Sequence, residues 1–147
     1  METNQKIIAY TDGGSRGNPG PAALGVVIQD VHGTVLKAYG EALGVKTNNE
    51  AEYAAVVSAL KKIKQTFGKE KAKKMSVEVR MDSELVMRQL TGVYRIETEH
   101  LFPFFMAIWN LRLDFDEVLF THVPREKNKD ADRMVNETLD KEQKQLW

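Results

Sequence analysis

The amino-acid sequence predicts an α/β fold, a mixed five-stranded sheet with helices packed against it. Two observations carry this prediction. Three apolar segments separated by short polar segments come first, and after Asn48 the apolar residues change from strand spacing to helical spacing. Shorter strand-like and helical segments then alternate to the end of the chain, which is the order typical of a sheet that mixes antiparallel and parallel strands.

The elements follow in order along the chain. Strands are predicted at residues 7–10, 22–28 and 35–43, and the turn at 30–33 makes the last two an antiparallel pair. A long helix begins near Asn48, with Thr47 or Asn48 as its N-cap. Its apolar stripe consists of Ala55, Val56, Ala59, Leu60 and Ile63. The later strands are predicted at residues 76–81 and 117–123, and the later helices at 84–90, 101–113 and 130–144.

Composition limits the class of protein. A chain of 147 residues is most simply one domain, residues 1–147. Its 21 basic and 21 acidic residues leave no net charge, which by itself does not favour nucleic-acid binding. The absence of cysteine excludes disulfides and thiolate metal sites. No apolar run reaches the roughly 18 residues of a membrane span and no apolar signal core is present, so we expect a soluble, monomeric, cytoplasmic protein.

The most informative segment is YTDGGSRGNPG, residues 10–20, where the first predicted strand runs into glycines. Its single carboxylate is Asp12. Glycines permit close approach of a ligand, so a carboxylate beside them can hold a cation against a phosphate. Taken alone, an Asp followed by Gly is also typical of an ordinary turn.

Three further carboxylates lie at comparable junctions, namely Glu52, Asp82 and Asp132. Residues two apart on a helix point about 200° from each other, so Glu52 opens the apolar stripe while Glu50 lies on a polar side. A carboxylate on an inner face needs a compensating partner, and a divalent metal is one. An exposed acid stabilised by the helix dipole is the alternative for Glu52. Periodicity does not choose between Asp130 and Asp132.

Together with His122, the four carboxylates and their surrounding motifs resemble the active-site set of the type 1 ribonucleases H. The resemblance extends from Lys6 to about Leu139, with the motifs in the same order and at similar intervals. It implies the ribonuclease H-like fold, in which three antiparallel strands are followed by two parallel strands and the first and fourth strands are neighbours. It also selects Asp132 as the fourth acid and leaves Asp130 as a cap or outer acid.

The resemblance implies an endoribonuclease that cleaves the RNA strand of RNA–DNA hybrids without sequence preference, leaving 5′-phosphate and 3′-hydroxyl ends. Two Mg²⁺ ions, or Mn²⁺ as a substitute, would be held by the four carboxylates. Asp12 would bridge both ions, Glu52 and Asp82 would hold the leaving-group side, and Asp132 the nucleophile side. His122 would transfer a proton or assist product release.

Substrate contacts are implied by the same resemblance. Thr47 would lie in a phosphate pocket, while Asn48 and Asn49 would read bases and 2′-hydroxyls in the minor groove. Further contacts to the hybrid are implied for Gly13, Gly14, Ser15, Arg16 and Asn18. Residues 93–100 are short and not basic, so the chain resembles the compact branch of the family that lacks a basic handle.

Other interpretations stay open. A catalytically silent domain that binds hybrid or double-stranded RNA would have no physical reason to keep four clustered acids, and a nuclease for another polymer would not need a segment that reads 2′-hydroxyls. The helix at 101–113 could offer a base-stacking surface, although the helical spacing of Phe105, Ile108, Trp109 and Arg112 favours core packing. The lysine-rich segment 61–74 is expected to be a solvated helix end and loop, with a patch for the substrate backbone as the alternative.

Overall fold

The computed structural model describes residues 5–145, so the N-terminal and C-terminal ends, residues 1–4 and 146–147, lie outside the described part. The strands are β1 (Lys6–Ser15), β2 (Gly20–Asp30), β3 (Val35–Lys46), β4 (Ser76–Met81) and β5 (Glu117–His122). The helices are α1 (Asn48–Phe67), α2 (Lys69–Ala72), α3 (Glu84–Leu90), α4 (Phe102–Leu111) and α5 (Lys129–Gln145), with short 3₁₀ turns at Glu99–Leu101, Arg112–Asp114 and Arg125–Lys127. Among the described residues, no helix is both long and apolar enough to cross a membrane.

The strands form one sheet in the order β3-β2-β1-β4-β5. β1, β2 and β3 pair antiparallel, whereas β4 runs parallel to both β1 and β5. The predicted mixed five-stranded sheet is therefore confirmed, including the parallel pairing of the first and fourth strands. Antiparallel neighbours need only short turns, while the parallel strands are reached through helical crossovers.

Helices cover the two faces of the sheet. Ile7 and Ala9 of β1 point toward α1 and pack in the main core with Val56 and Leu60. On the opposite face, α5 lies directly on β2 and β3. A Cβ atom added to Gly25 would lie 2.1 Å from the carbonyl oxygen of Ala131, and one on Gly40 would lie 2.1 Å from Thr138 Oγ1. These two glycines set how closely the first half of α5 and its middle approach the sheet.

The first strand is longer than predicted. β1 continues through the glycines to Ser15 because it stays paired with β2, from Ile7 opposite Asp30 to Ser15 opposite Ala22. Asp12 therefore lies within a strand and not at its end. Of the glycines between 13 and 20, Gly17 alone has a positive φ, 97°. The left-handed backbone that glycine permits is thus used at the turn, while Gly13 and Gly14 stay paired within β1.

The helix predicted at 101–113 is present as α4 with a 3₁₀ turn at each end. Ile108 is buried, but Trp109 is 41% exposed. The Trp109 ring stacks on Phe105 at 5.4 Å and lies 3.5 Å from the guanidinium carbon of Arg112. The predicted core role is therefore right for Ile108 and wrong for Trp109, because only one side of this short helix contacts α1.

Candidate active site

Asp12 lies where the sheet divides. The parallel pairing of β1 with β4 ends at Thr11 opposite Met81, one residue before Asp12. Antiparallel pairing of β1 with β2 continues, with Asp12 opposite Gly25. β1 thus runs on after β4 has ended, and the carboxylate of Asp12 stands at the cleft that this divergence opens, with 7% of the residue exposed.

Glu52 reaches this cleft because α1 approaches β1 very closely. A Cβ atom on Gly13 would lie 2.2 Å from the carbonyl carbon of Ala51 and 2.4 Å from the backbone nitrogen of Glu52, so this approach requires glycine. The neighbouring acid has another role: Glu50 accepts from the N–H of Thr47 at 3.0 Å, while Thr47 Oγ1 accepts from the N–H of Glu50 at 3.1 Å. This is a capping box that begins α1.

Asp82 follows the last residue of β4 and is half-buried. The next residue, Ser83, ends the extended segment by capping α3, where its hydroxyl accepts from the N–H of Val86 at 3.2 Å. Asp82 is thereby fixed between a strand end and a helix start. Ligand oxygens of Asp12, Glu52 and Asp82 all lie within 4.8 Å of one another.

Asp132, in the first turn of α5, supplies the fourth carboxylate. It lines a cleft of about 380 Å³ together with the other three acids. The amide nitrogen of Asn136, one turn later, lies 3.3 Å from Asp132 Oδ2. Asp130 is not among the residues that line this cleft and instead lies 3.7 Å from Arg133. The structure thus brings Asp132, and not Asp130, to the other acids.

Two of the acids, Asp12 and Glu52, have raised pKa values. Burial, followed by the charges of Asp82 and Asp132, raises the pKa of Asp12 to about 7. Burial also holds the pKa of Glu52 well above its usual range, with the charges of Asp12 and Asp82 adding to the effect. Without a cation, the cluster therefore retains protons at pH values where free carboxylates are ionised.

This donor set fits a hard divalent cation. All the groups are carboxylate oxygens, which are the ligands that Mg²⁺ and Mn²⁺ prefer. A cation placed among them would offset the repulsion that otherwise keeps protons in the cluster.

On one side of the cleft, the glycine-rich hairpin is tied to the start of α1. Asn48 Oδ1 accepts from the backbone N–H of Ser15 at 2.9 Å. The Ser15 hydroxyl lies 3.1 Å from Asn48 Oδ1 and 2.5 Å from the carbonyl oxygen of Gly17, to which it donates. In return, Asn18 Oδ1 accepts from the backbone N–H of Asn48 at 2.9 Å. The structure therefore links these three predicted substrate contacts in one network, and Ser15 and Asn48 line the cleft.

The other predicted substrate residues are arranged differently. Gly13, Gly14 and Arg16 line the cleft, but the Arg16 guanidinium binds Asp140 and Gln143 of α5, each at 2.7 Å. Thr47 and Asn49 are not among the cleft-lining residues. The Thr47 hydroxyl accepts the capping hydrogen bond, and Asn49 is exposed in the first turn of α1.

His122 is exposed at the last position of β5, outside the group of residues that line the cleft. Three residues later, Arg125 begins a 3₁₀ turn and lines the cleft. The sequence predicts a role for the histidine of this segment, whereas the structure places the arginine in the cleft.

Two amides were missed as well. Asn136 is separated from Asp132 by four residues on α5, a helical spacing that sequence alone could have indicated. Asn128 is 1% exposed, and its side-chain nitrogen lies 3.2 Å from Asp82 Oδ2. No sequence signal marks this contact, because the two residues are 46 positions apart.

Comparison with known proteins agrees with this geometry. Residues 10–138 match a family described as reverse transcriptase-like. A curated ribonuclease HI of Halobacterium salinarum is 41% identical over 135 residues, which cover 92% of this chain and 65% of that protein. A bifunctional protein of Mycobacterium tuberculosis is 36% identical over 136 residues, and the match spans only 36% of its length. The chain thus spans less than two thirds of these curated relatives.

Two related solved proteins match over nearly their whole length. The crystal structure of RNase H1 from Halobacterium salinarum has a TM-score of 0.84 and 40% identity, covering 92% of this chain and 98% of that one. LC11-RNase H1, isolated from compost by a metagenomic approach and crystallised in complex with an RNA/DNA hybrid, has a TM-score of 0.87 and 47% identity, covering 92% and 97% of the two chains. With this sequence identity, this shared fold and a carboxylate cluster at the division of the sheet, the chain belongs to the ribonuclease H1 family.

Proposed function

We propose that this protein is a ribonuclease H, an endoribonuclease that hydrolyses the RNA strand of RNA–DNA hybrids without sequence preference and leaves 5′-phosphate and 3′-hydroxyl ends. The observation that carries the proposal is the cleft in which Asp12, Glu52 and Asp82 bring ligand oxygens within 4.8 Å of one another, with Asp132 beside them. A related RNase H1 has been crystallised with an RNA/DNA hybrid, which supports the choice of substrate.

The four carboxylates would hold two Mg²⁺ ions, with Mn²⁺ as a substitute. When bound, such a pair supplies an activated water and stabilises the leaving oxygen of a phosphodiester. The chain's own contribution is placement. Asp12, at the centre of the cluster, would serve both ions, with Glu52 and Asp82 on the leaving-group side and Asp132 on the nucleophile side.

Recognition of RNA rests on the hairpin network. Because Asn48 Oδ1 already accepts a hydrogen bond from the backbone N–H of Ser15 at 2.9 Å, its side-chain NH₂ is the group left to face a ligand. An NH₂ group donates only, and a 2′-hydroxyl oxygen is a suitable acceptor that DNA lacks. We infer that Asn48 meets the RNA strand, with Ser15 and Asn18 holding it in place. Gly13, Gly14, Arg16, Thr47 and Asn49 complete the proposed contacts.

Arg125 and His122 differ in their position relative to the cleft. Arg125 lines the cleft and offers a positive charge next to the acids, where a phosphate must bind. A role of His122 in proton transfer or product release stays a prediction, because its exposed side chain lies at the end of β5. That residues 1–147 form one catalytic domain, monomeric and cytoplasmic, also stays a prediction.

The test compares labelled RNA–DNA, RNA–RNA and DNA–DNA duplexes, each incubated with Mg²⁺ and with Mn²⁺. We expect cleavage of the RNA strand of the hybrid at many positions, with products that carry 5′-phosphates. The Asp82→Asn protein is the control for contaminating nucleases. Cleavage of the DNA duplex would refute the proposal and favour a nuclease for another polymer. Binding of the hybrid without cleavage in either metal would also refute it and favour a silent binding domain.

A further inference from the structure

Asn128 is a buried residue between the 3₁₀ turn Arg125–Lys127 and α5, and it contacts three separate segments. Its side-chain nitrogen donates to the carbonyl oxygen of Thr11 at 2.9 Å and to Asp82 Oδ2 at 3.2 Å. Its own backbone carbonyl accepts from the N–H of Asp132 at 3.1 Å. Both amide hydrogens and the backbone oxygen are therefore engaged.

Each of these segments carries a carboxylate of the cleft. Thr11 directly precedes Asp12 on β1, Asp82 follows β4, and Asp132 opens α5. A single residue at the N-terminal end of α5 thus joins that helix, through its buried side chain, to β1 and to the residue that follows β4. Since these segments are far apart in sequence, the relative position of three acids depends on contacts of this kind.

The orientation of the amide follows from its neighbours. Both atoms that face its nitrogen are oxygens, a carbonyl and a carboxylate, so the reversed amide would place oxygen against oxygen. The bond to Asp82 Oδ2 restricts rotation of that carboxylate. An amide does this without a positive charge, whereas a lysine or arginine at the same place would compete with a bound cation.

The other half of the amide argues against a purely stabilising role. Asn128 Oδ1 and the hydroxyl of Thr11 are both buried without a hydrogen-bond partner among the described residues. An unpaired buried polar atom destabilises the folded protein. An apolar residue at this position would remove the unpaired Oδ1, so the amide is better explained by what its nitrogen holds.

We propose that Asn128 is a positioning residue, which sets the orientation of Asp82 and the spacing of Asp12, Asp82 and Asp132 so that the divalent metal ions bind tightly. This inference rests on the proposed metal-dependent function. Hydrogen bonds of this kind to a ligating carboxylate typically contribute about 10- to 100-fold in metal affinity.

The test measures Mg²⁺ binding by calorimetry without nucleic acid, using the full chain and its Asn128→Ala and Asn128→Ser variants. The control is Gln89→Met, because Gln89 is also a buried amide, accepts from the Tyr53 hydroxyl at 2.7 Å and forms no hydrogen bond with the four acids among the described residues. We expect Mg²⁺ affinity to fall about 10-fold or more in both Asn128 variants and to stay within about twofold in the control. In hybrid cleavage, the Mg²⁺ concentration for half-maximal rate should rise more than the maximal rate falls.

Equal Mg²⁺ affinity in the parent and a folded Asn128 variant would overturn the inference, while an unmodified protein that binds no Mg²⁺ would instead overturn the proposed metal function. A second measurement needs no variant. On titration of the unmodified protein with Mg²⁺, the side-chain amide resonances of Asn128 should shift together with the carboxyl resonance of Asp82. If Mg²⁺ shifts the carboxyl resonance of Asp82 but not the side-chain amide resonances of Asn128, the inference is also overturned.

Discussion

Gly13 and Ala51 are in backbone contact, and this contact sets the position of Glu52. A Cβ atom on Gly13 would lie 2.2 Å from the carbonyl carbon of Ala51 and 2.3 Å from its oxygen. The first turn of α1 therefore lies directly on β1, which brings a carboxylate from a helix to one from a strand.

Replacing Gly13 by alanine should displace the start of α1. Overpacking a closely packed contact typically costs about 1–3 kcal/mol and occasionally more, and backbone atoms cannot yield as a flexible side chain does. We expect a loss of about 3 kcal/mol or more in the free energy of unfolding, measured by urea denaturation. Gly14→Ala is the matched control, since its Cβ would meet only Val135 Cγ1 at 3.7 Å. Equal destabilisation by both changes would contradict the assigned contact.

The raised pKa of Asp12 makes the metal-free protein sensitive to pH. An unfolded aspartate has a pKa near 3.8, whereas the folded Asp12 has one of about 7. Ionisation is thus disfavoured in the folded state, so the stabilising effect of the protonated acid is complete below about pH 4 and is lost as the pH rises to about 7. In EDTA, Asp12→Asn should therefore melt higher than the parent at pH 8, with a difference that shrinks toward pH 4. A stability difference that does not depend on pH would contradict the shifted pKa.

Asp82→Asn should preserve the fold and remove activity, because it replaces one charged ligand at nearly constant volume. Glu50→Gln and Asp130→Asn should retain most activity. Glutamine can still accept the capping hydrogen bond from the N–H of Thr47, and Asp130 lies outside the cleft. Hybrid cleavage rates and circular dichroism measure both effects. Comparable loss in Glu50→Gln and Glu52→Gln would refute the assignment of the two faces of α1.

Alanine variants of Arg125 and His122 distinguish the contributions of these two residues to cleavage. We expect Arg125→Ala to lower the rate of hybrid cleavage about 10-fold or more, because a charge-assisted hydrogen bond to phosphate is worth about 1.5–3 kcal/mol. His122→Ala should have a smaller effect, since its side chain lies outside the cleft-lining residues. Cleavage rates at saturating Mg²⁺ and hybrid make the comparison. A larger loss of cleavage rate in His122→Ala than in Arg125→Ala would show that His122 enters the site once substrate is bound.

Divalent metal should control binding of the hybrid as well as its cleavage. Four carboxylates bring up to about −4 charge into a site that must receive a phosphodiester, and like charges 4 Å apart repel by about 4 kcal/mol at an effective dielectric of 20. Hybrid binding, measured by fluorescence anisotropy, should therefore be tight with Ca²⁺, which we expect to fill the sites without supporting cleavage, and weak in EDTA. Equal affinity in both would mean that another surface, such as the lysine-rich segment 61–74, carries the substrate.

The sequence by itself determined the order and type of the elements. The spacing of apolar residues predicts the three initial strands, the apolar stripe of α1 and the alternation of strands and helices that follows. The geometry of a helix separates Glu52 from Glu50. These properties depend on residues within a few positions of one another, so a single chain contains them. The ends of the elements depend on pairing between strands. At β1, pairing with β2 extends the strand through the glycines to Ser15.

Only the tertiary structure decided what depends on contacts between distant segments. The tertiary structure places Asp132 in the same cleft as Asp12, and it buries Asn128 against Asp82. It pairs Arg16 with Asp140 of α5. It also brings Arg125 into the cleft, while His122 lies outside it. It also left Trp109 exposed, although its helical spacing matched that of a core residue. Periodicity shows that a residue lies on an apolar face, but whether another element covers that face is decided by the packing of the whole chain.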